Sequence, residues 1–371
     1  MGLNTYRGMR HFDRTGEPAG RQGTRQQWQY AVQRHAASHM HYDKPSGARR
    51  TPAKTGAPSG KGRNGRAAKA APLDFPAPGI RFTHPDKVLY PGDGITKIAL
   101  AKYYAEIADW IVPHIAGRPL TLVRCPEGTR GECFYQKHAA KGRFEHLRLV
   151  SFREAGKTAT CLVADDLAGL LSLVQMGVLE IHVWGSRADD LQRPDRVIFD
   201  LDPDISLPWS HMVQSALQLK QFFDDLGLHN FVKTTGGKGL HIVVPIARRH
   251  TWPEVAEFCK AVADAVVRGD PRRYTQHAAK AARKGRIFFD YLRNHRGATS
   301  IAPYSTRAQV GAPVSVPLNW KELTAGLRSD HFNLANLPAR LAALKQDPWY
   351  GIQDVRQTIN ATIRQKLGRA R

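Results

Sequence analysis

An α/β fold is what the sequence predicts, with strands and helices taking turns along a folded region that follows a basic tail. Three observations predict it. Apolar runs rich in β-branched and aromatic residues, such as 197–201 and 240–246, have strand character. Segments such as 97–111 and 210–226 carry apolar residues at the i, i+3, i+4, i+7 spacing of an amphipathic helix. Residues 45–71 are mostly Gly, Ala, Ser, Pro, Lys and Arg, with too few apolar anchors to offset the entropy of ordering.

The charge is as informative as the pattern. The chain has 371 residues and a formal net charge of +23, which implies a polyanionic partner, nucleic acid before membrane. Residues 1–71 carry 14 Lys+Arg against 3 Asp+Glu, and the following 300 carry 41 against 29. About half of the excess therefore sits in a fifth of the chain, as expected of a disordered basic linker (45–72) able to tether DNA. No run approaches the ~18 apolar residues of a membrane span, and the N-terminus lacks the apolar segment of a signal peptide. A cytoplasmic, nucleoid-associated protein with no membrane contact is expected. The cysteines, Cys125, Cys133, Cys161 and Cys259, form no C-x-x-C pair. They are expected to be reduced and buried, without a zinc site.

In order, the folded region is expected to begin near Leu73. Thr96 is placed to cap a helix over 97–111, with Lys87 and Lys97 at its N-terminal end, where dipole and ammonium groups together suit a phosphate. Strands follow at 120–124 and 132–137, the second presenting Phe134 and Tyr135 between polar and basic neighbours, as a base-stacking platform requires. An apolar stretch, 162–178, reads as a buried helix, and 181–185 as a strand containing His182. The run Val197-Ile198-Phe199-Asp200-Leu201-Asp202-Pro203 then ends in two carboxylates. On a strand, Asp200 and Asp202 share one face while Val197, Phe199 and Leu201 face a core. Two carboxylates side by side repel unless a cation lies between them, which predicts Mg²⁺ or Mn²⁺. After the 210–226 helix, strands at 231–235 and 240–246 are joined by Gly236-Gly237-Lys238-Gly239. Such a turn permits close approach and adds a positive charge, the elements of a phosphate cradle, with Thr235 and His241 beside it. A helix over 252–268 and a basic stretch over 278–286 lead to Ile287-Phe288-Phe289-Asp290, a second apolar strand ending in a carboxylate, and then to Arg293 and Arg307. Three acids, a phosphate-binding turn and scattered cations are the equipment of two-metal nucleotidyl transfer.

At this point the motifs resemble a known family. Gly117-Arg118-Pro119-Leu120, Phe134-Tyr135-Gln136-Lys137, His182-Val183-Trp184-Gly185-Ser186-Arg187, Phe199-Asp200-Leu201-Asp202-Pro203, Thr235-Gly236-Gly237-Lys238-Gly239-Leu240-His241 and Ala302-Pro303-Tyr304-Ser305 with Arg307 look like the polymerase domain of bacterial ligase D, in the archaeo-eukaryotic primase superfamily. The resemblance runs from about 73 to 365, so residues 73–371 are read as this domain. It implies a mixed, largely antiparallel central sheet flanked by helices, of primase-polymerase type. It implies Asp200, Asp202 and Asp290 as ligands of two Mn²⁺ or Mg²⁺ ions. It places His182, Thr235, Lys238, His241, Arg293 and Arg307 at the nucleotide. It assigns Lys87 and Lys97 to a DNA 5′-phosphate, and Phe134 and Tyr135 to nucleic-acid stacking. Thr235 stands where Ser is usual, and Arg293 where a polar amide is common.

The implied activity is DNA-directed addition of NTPs or dNTPs to 3′ ends at gaps and double-strand breaks, in non-homologous end joining. No K-x-D-G ligase motif appears, so sealing is expected of a separate DNA ligase, with Ku as a further expected partner. Phe12-Asp13-Arg14-Thr15, Gln33-Arg34-His35-Ala36-Ala37-Ser38 and His41-Tyr42-Asp43 resemble the opening of the ligase D 3′-phosphoesterase domain. The chain then passes into the linker, so 1–44 is expected to be a remnant. Other readings are a decayed DNA-bridging module and a primase acting de novo. The Asp-x-Asp also resembles that of haloacid-dehalogenase phosphatases, but Pro203-Asp204 replaces the Gly and Thr or Ser that continue that motif.

Overall fold

The computed structural model describes residues 79–369, apart from 140, 141 and 143. The phosphoesterase-like segment 1–44, the basic linker 45–72 and the proposed domain start at 73 lie outside the described residues. Those described belong to one compact unit.

Two six-stranded sheets organise it. The first runs Tyr274–Thr275, Ile287–Asp290, Arg196–Pro203, Leu240–Pro245, Phe231–Thr234, Pro317–Leu318. The second runs Thr299–Ile301, Val178–Trp184, Leu120–Arg124, Lys157–Val163, Arg148–Glu154, with Phe134–Gln136 also paired to Leu120–Arg124. Pairing within both is antiparallel except where Tyr274–Thr275 meets Ile287–Asp290. The mixed, largely antiparallel expectation therefore holds, but in two sheets rather than one. Val178–Trp184 finds its partners in Leu120–Arg124 and Thr299–Ile301, not in the acid-bearing strand.

Alternation on the Arg196–Pro203 strand is as the sequence predicts. Val197, Phe199 and Leu201 are fully buried in the main core. Phe199 stacks between Phe223 and Phe289, both at 5.1 Å between ring centroids. Such aromatic pairs add about 1 kcal/mol beyond their buried area. This anchors the strand to the Trp209–Asp225 helix on one side and the Ile287–Asp290 strand on the other.

Three local expectations change. The single helix expected over 97–111 is two, Lys97–Glu106 and Ala108–Ile115, because the chain leaves helical dihedrals at Ile107. Thr96 does cap the first, accepting from the Ala99 N–H at 3.2 Å. The expected buried helix 162–178 shrinks to Leu167–Gln175, capped by Asp166, with strands taking both flanks. Continuous apolarity hides the period that would separate strand from helix. The reduced state expected of all four cysteines is also corrected. Cys125 and Cys133 form a disulfide, S–S 2.01 Å, while Cys161 and Cys259 are free and buried. The cause is register. Arg124 pairs with Phe134, so the next residues outward, Cys125 and Cys133, stand opposite each other. No helix among the described residues is long and apolar enough to cross a membrane.

Candidate active site

The acid strand lies in the middle of the first sheet, and its neighbours bring chemistry to it. Asp200 is register partner to His241 on one side and to Asp290 on the other. Residues far apart in sequence are thus fixed at strand spacing by backbone pairing alone. Asn294 extends the arrangement where pairing with Ile287–Asp290 has stopped. Its side chain accepts from the Ile198 N–H at 2.8 Å and donates to the Ile198 carbonyl at 2.7 Å, taking the place of a missing strand.

Arg293 is the central cation. Its Nε and Nη2 lie 2.7 and 2.5 Å from Asp200 Oδ2, and Nε is 3.7 Å from Asp290. Burial opposes charge on Asp200, but Arg293 and then His241 overcome it and hold the carboxyl well below the usual range. Asp202 moves the other way. Burial and then the charge of Asp200 push it up to about 6, against Lys238 at 3.9 Å and Arg283 at 3.8 Å. Asp290 is also raised, by burial first. His241 lies 3.4 Å from Asp200, but burial and the nearby Lys233 lower it to about 3, so it is a neutral imidazole at pH 7. Asp204, past the proline, bonds Ser206 and stands outside the cluster.

The Gly-rich turn bends over this cluster. A Cβ on Gly239 would sit 2.4 Å from the Leu201 carbonyl oxygen and 3.3 Å from Asp202 Oδ1, so only glycine permits this approach. Gly236 has φ +68° and lies against Arg307 and Val314. The turn differs from a simple cradle in one respect. The N–H groups of Gly237 and Gly239 donate inward to Thr235 Oγ1 at 3.3 and 3.2 Å, while that hydroxyl donates to the Gly239 carbonyl. Thr235 therefore knits the turn, and the outward feature is Lys238, whose side chain is 60% exposed.

A second group ties the two sheets together. Glu180 and His182 share a face of Val178–Trp184 and are 2.8 Å apart. Arg307 Nε reaches Glu180 Oε1 at 3.1 Å, and its Nη1 donates to the Thr235 carbonyl at 3.3 Å. Burial opposes charge on Glu180, yet Arg307 and His182 hold it down at about 2. Burial lowers His182 against the opposing pull of Glu180, which favours the neutral ring. Tyr135 packs edge-on at 6.0 Å from the His182 ring, and both Phe134 and Tyr135 remain exposed. Lys87 and Lys97 are joined by backbone, the Lys97 N–H donating to the Lys87 carbonyl at 2.8 Å. Their ammonium groups bond to Glu127 and to the Thr83 carbonyl, not to the acid cluster.

The sequence-predicted residues thus fall in two places: acids, turn, His182 and Arg307 in one continuous set of contacts, and the two lysines elsewhere. Sequence reading missed Glu180, Arg283, Lys233 and Asn294. Glu180 is two residues from His182 on a strand, a spacing that could have found it. Nothing local signals Asn294.

The donor set is suited to a divalent cation. Asp200 Oδ1 is buried without a hydrogen-bond partner, and the raised Asp202 and Asp290 carry repulsion that a cation would relieve. As they stand, no three His, Cys, Asp or Glu side chains among the described residues already form a ligating group. Arg293 supplies the positive charge between Asp200 and Asp290.

Comparisons with known proteins show what the chain as a whole is similar to. A family model described as LigD, primase-polymerase domain, matches residues 96–349. The multifunctional non-homologous end joining protein LigD of Pseudomonas aeruginosa is 40% identical over 309 residues, which are 83% of this chain and 37% of that protein. The protein of the same name from Mycolicibacterium smegmatis is 35% identical over 66% of this chain and 32% of its own length. The chain thus spans about a third of the length of these curated relatives. The polymerase domain from Mycobacterium tuberculosis ligase D, solved in complex with DNA, superimposes with a TM-score of 0.69 at 29% identity, covering 75% of this chain and 99% of that one.

Proposed function

The chain belongs to the LigD primase-polymerase family, and from that premise we propose that it is a nucleotidyltransferase that extends DNA 3′ ends at gaps and double-strand breaks during non-homologous end joining. The observation that carries the reading is the convergence of Asp200, Asp202 and Asp290 on neighbouring strands beneath a Gly-Gly-Lys-Gly turn. In the proposed reaction a 3′-oxygen forms a bond to the α-phosphorus of an NTP or dNTP while the α–β bond breaks and pyrophosphate leaves. Two divalent cations, Mn²⁺ or Mg²⁺, held by the three carboxylates, would supply Lewis acidity to the hydroxyl and to the phosphates.

The rest of the work falls to the chain itself. Lys238, exposed at the tip of the turn and near Asp202, is positioned to meet an outer phosphate. Arg293 and His241 hold Asp200 in a single orientation. Thr235 keeps the turn closed, and Glu180 fixes His182 and Arg307 on the wall beside it. Catalysis of this kind is mostly positioning and electrostatics. Phe134 and Tyr135, both exposed and the second beside His182, offer stacking faces for bases. Lys87 and Lys97 are the proposed grip on a 5′-phosphate across the gap, for which each would exchange its present partner. The DNA in the similar mycobacterial polymerase domain supports DNA as the polymer bound. A separate ligase, Ku and a nucleoid-associated cytoplasmic setting complete the proposal.

Primer extension on gapped DNA tests it, with and without a 5′-phosphate and with NTPs against dNTPs. Asp200→Ala and Asp290→Ala should each reduce incorporation by about a thousandfold or more while DNA affinity stays within about twofold. Retained synthesis would remove the carboxylates from the reaction. Wild-type protein that binds but never extends would point to a decayed bridging module, and synthesis on unprimed template to a primase.

A further inference from the structure

The acid strand has another end. Opposite Asp200 and Asp202, its first residue, Arg196, lines a cavity of about 320 Å³ shared with Arg118, Arg187, Asp195, Arg248 and Arg356. Five guanidinium groups and one carboxylate make this wall strongly positive. The lone carboxylate is already committed. Arg118 grips Asp195 with two bonds, at 2.7 and 2.6 Å. At the rim Arg248 pairs with Asp189 at 2.7 Å.

Arg196 is left over. It is 4% exposed, and its Nη2 has no hydrogen-bond partner. The Nε of Arg118 is likewise buried and unpartnered. Asp195 and Asp347 offset the charge of Arg196 only in part, and an under-compensated buried cation is destabilising. Burial, and then the charge of Arg118, lower Arg196 to about 9, yet that still leaves it charged at neutral pH. A guanidinium does not find relief by losing its proton, so relief has to come from an anion.

The cavity is separate from the acid cluster. Arg196 and Asp200 are four residues apart on one face, about 13 Å along a strand. Ile198 lies between them on that face, sealed by Phe231, Val243, Trp349 and Ile352. An anion at Arg196 therefore does not touch the carboxylates. Forked guanidinium donors bind phosphate oxygens through paired, charge-assisted hydrogen bonds.

We infer that the cavity at Arg196 is a phosphate-binding site, distinct from the nucleotide site, in which Arg196 supplies the central contact and Arg248 and Arg356 guard the mouth. The same chemistry is presented by free phosphate and by a DNA phosphodiester. The test is calorimetric titration of inorganic phosphate into the full chain. Wild type should bind phosphate saturably, Arg196→Met should weaken that binding about tenfold or more, and Lys238→Ala should leave it unchanged. Binding lost in Lys238→Ala but kept in Arg196→Met would move the anion to the acid cluster and overturn the assignment, as would no saturable binding by wild type. If Arg196→Met does not fold, Arg248→Gln with Arg356→Gln, at the exposed mouth, carries the test: several-fold weaker binding supports the site and unchanged binding refutes it. A parallel titration with short duplex DNA distinguishes the sources. Weaker duplex binding by the variant that lost phosphate supports a phosphodiester occupant, and equal duplex binding supports free phosphate.

Discussion

Arg293 neutralises the carboxylates that the cation proposal needs, and it does so from inside the protein. Without it, Asp200 would be a buried charge with only a neutral imidazole beside it. Removing one partner of a buried pair costs about 3–5 kcal/mol, so Arg293→Met should lower the melting temperature clearly in metal-free buffer. If the acids hold a cation, Mn²⁺ should narrow that deficit, because it restores the missing charge; equal deficits with and without Mn²⁺ would count against them. Glu180 makes the complementary case. Its carboxyl has an ordinary value of 4.5 and is held at about 2 in the fold, so its contribution is present above pH 4.5 and is lost as pH falls toward 2. Glu180→Gln should cost roughly 3 kcal/mol at pH 7. The gap from wild type should shrink between pH 4.5 and 2 in urea melts, and a constant gap would deny Glu180 its paired, charged state.

Among the elements, the Gly-rich turn is the most demanding. Gly239→Ala would drive a methyl group into the Leu201 carbonyl at 2.4 Å, so either the turn or the acid strand must shift. Incorporation should fall at least about tenfold, with a loss of about 1–3 kcal/mol in stability. Gly237→Ala meets only Thr235 Oγ1, at 3.6 Å, and should be nearly silent in both measurements. A reversed order would mean that the turn does not approach the strand this closely. This element was legible in the sequence because its signals are local: two short apolar strands, a glycine run and a lysine. The acid strand was legible for the same reason, through period-two alternation. The Cys125–Cys133 bond and the division into two sheets were not, since both depend on which strand pairs with which. Nor was the placement of Arg293 on Asp200, 93 residues away, or the inward turn of the Thr235 hydroxyl.

At the scale of the whole molecule, charge and topology set the behaviour. Residues 1–71 hold 14 of the 55 basic side chains and only 3 of the 32 acidic ones. Deleting them should weaken DNA binding and flatten its salt dependence, since every DNA phosphate that the tail no longer neutralises takes about 0.9 off the slope of log K against log salt. Extension of a primed gap should persist, and its loss would give the tail a part in catalysis. Topology has a different consequence, one of timing. The acid cluster draws on strands from Arg196 to Asp290, and the clamp from Glu180 to Arg307 closes across 127 residues. Contacts of such span form late, after the entropy of closing the intervening loops has been met. A chain still emerging from the ribosome, with Asp200 made but Arg293 not yet translated, carries its acidic pair without the cation that holds it. The proposed catalytic centre therefore stays incomplete until nearly the last of the sheet is in place, and a truncated translation product would lack the full set of residues for the proposed reaction.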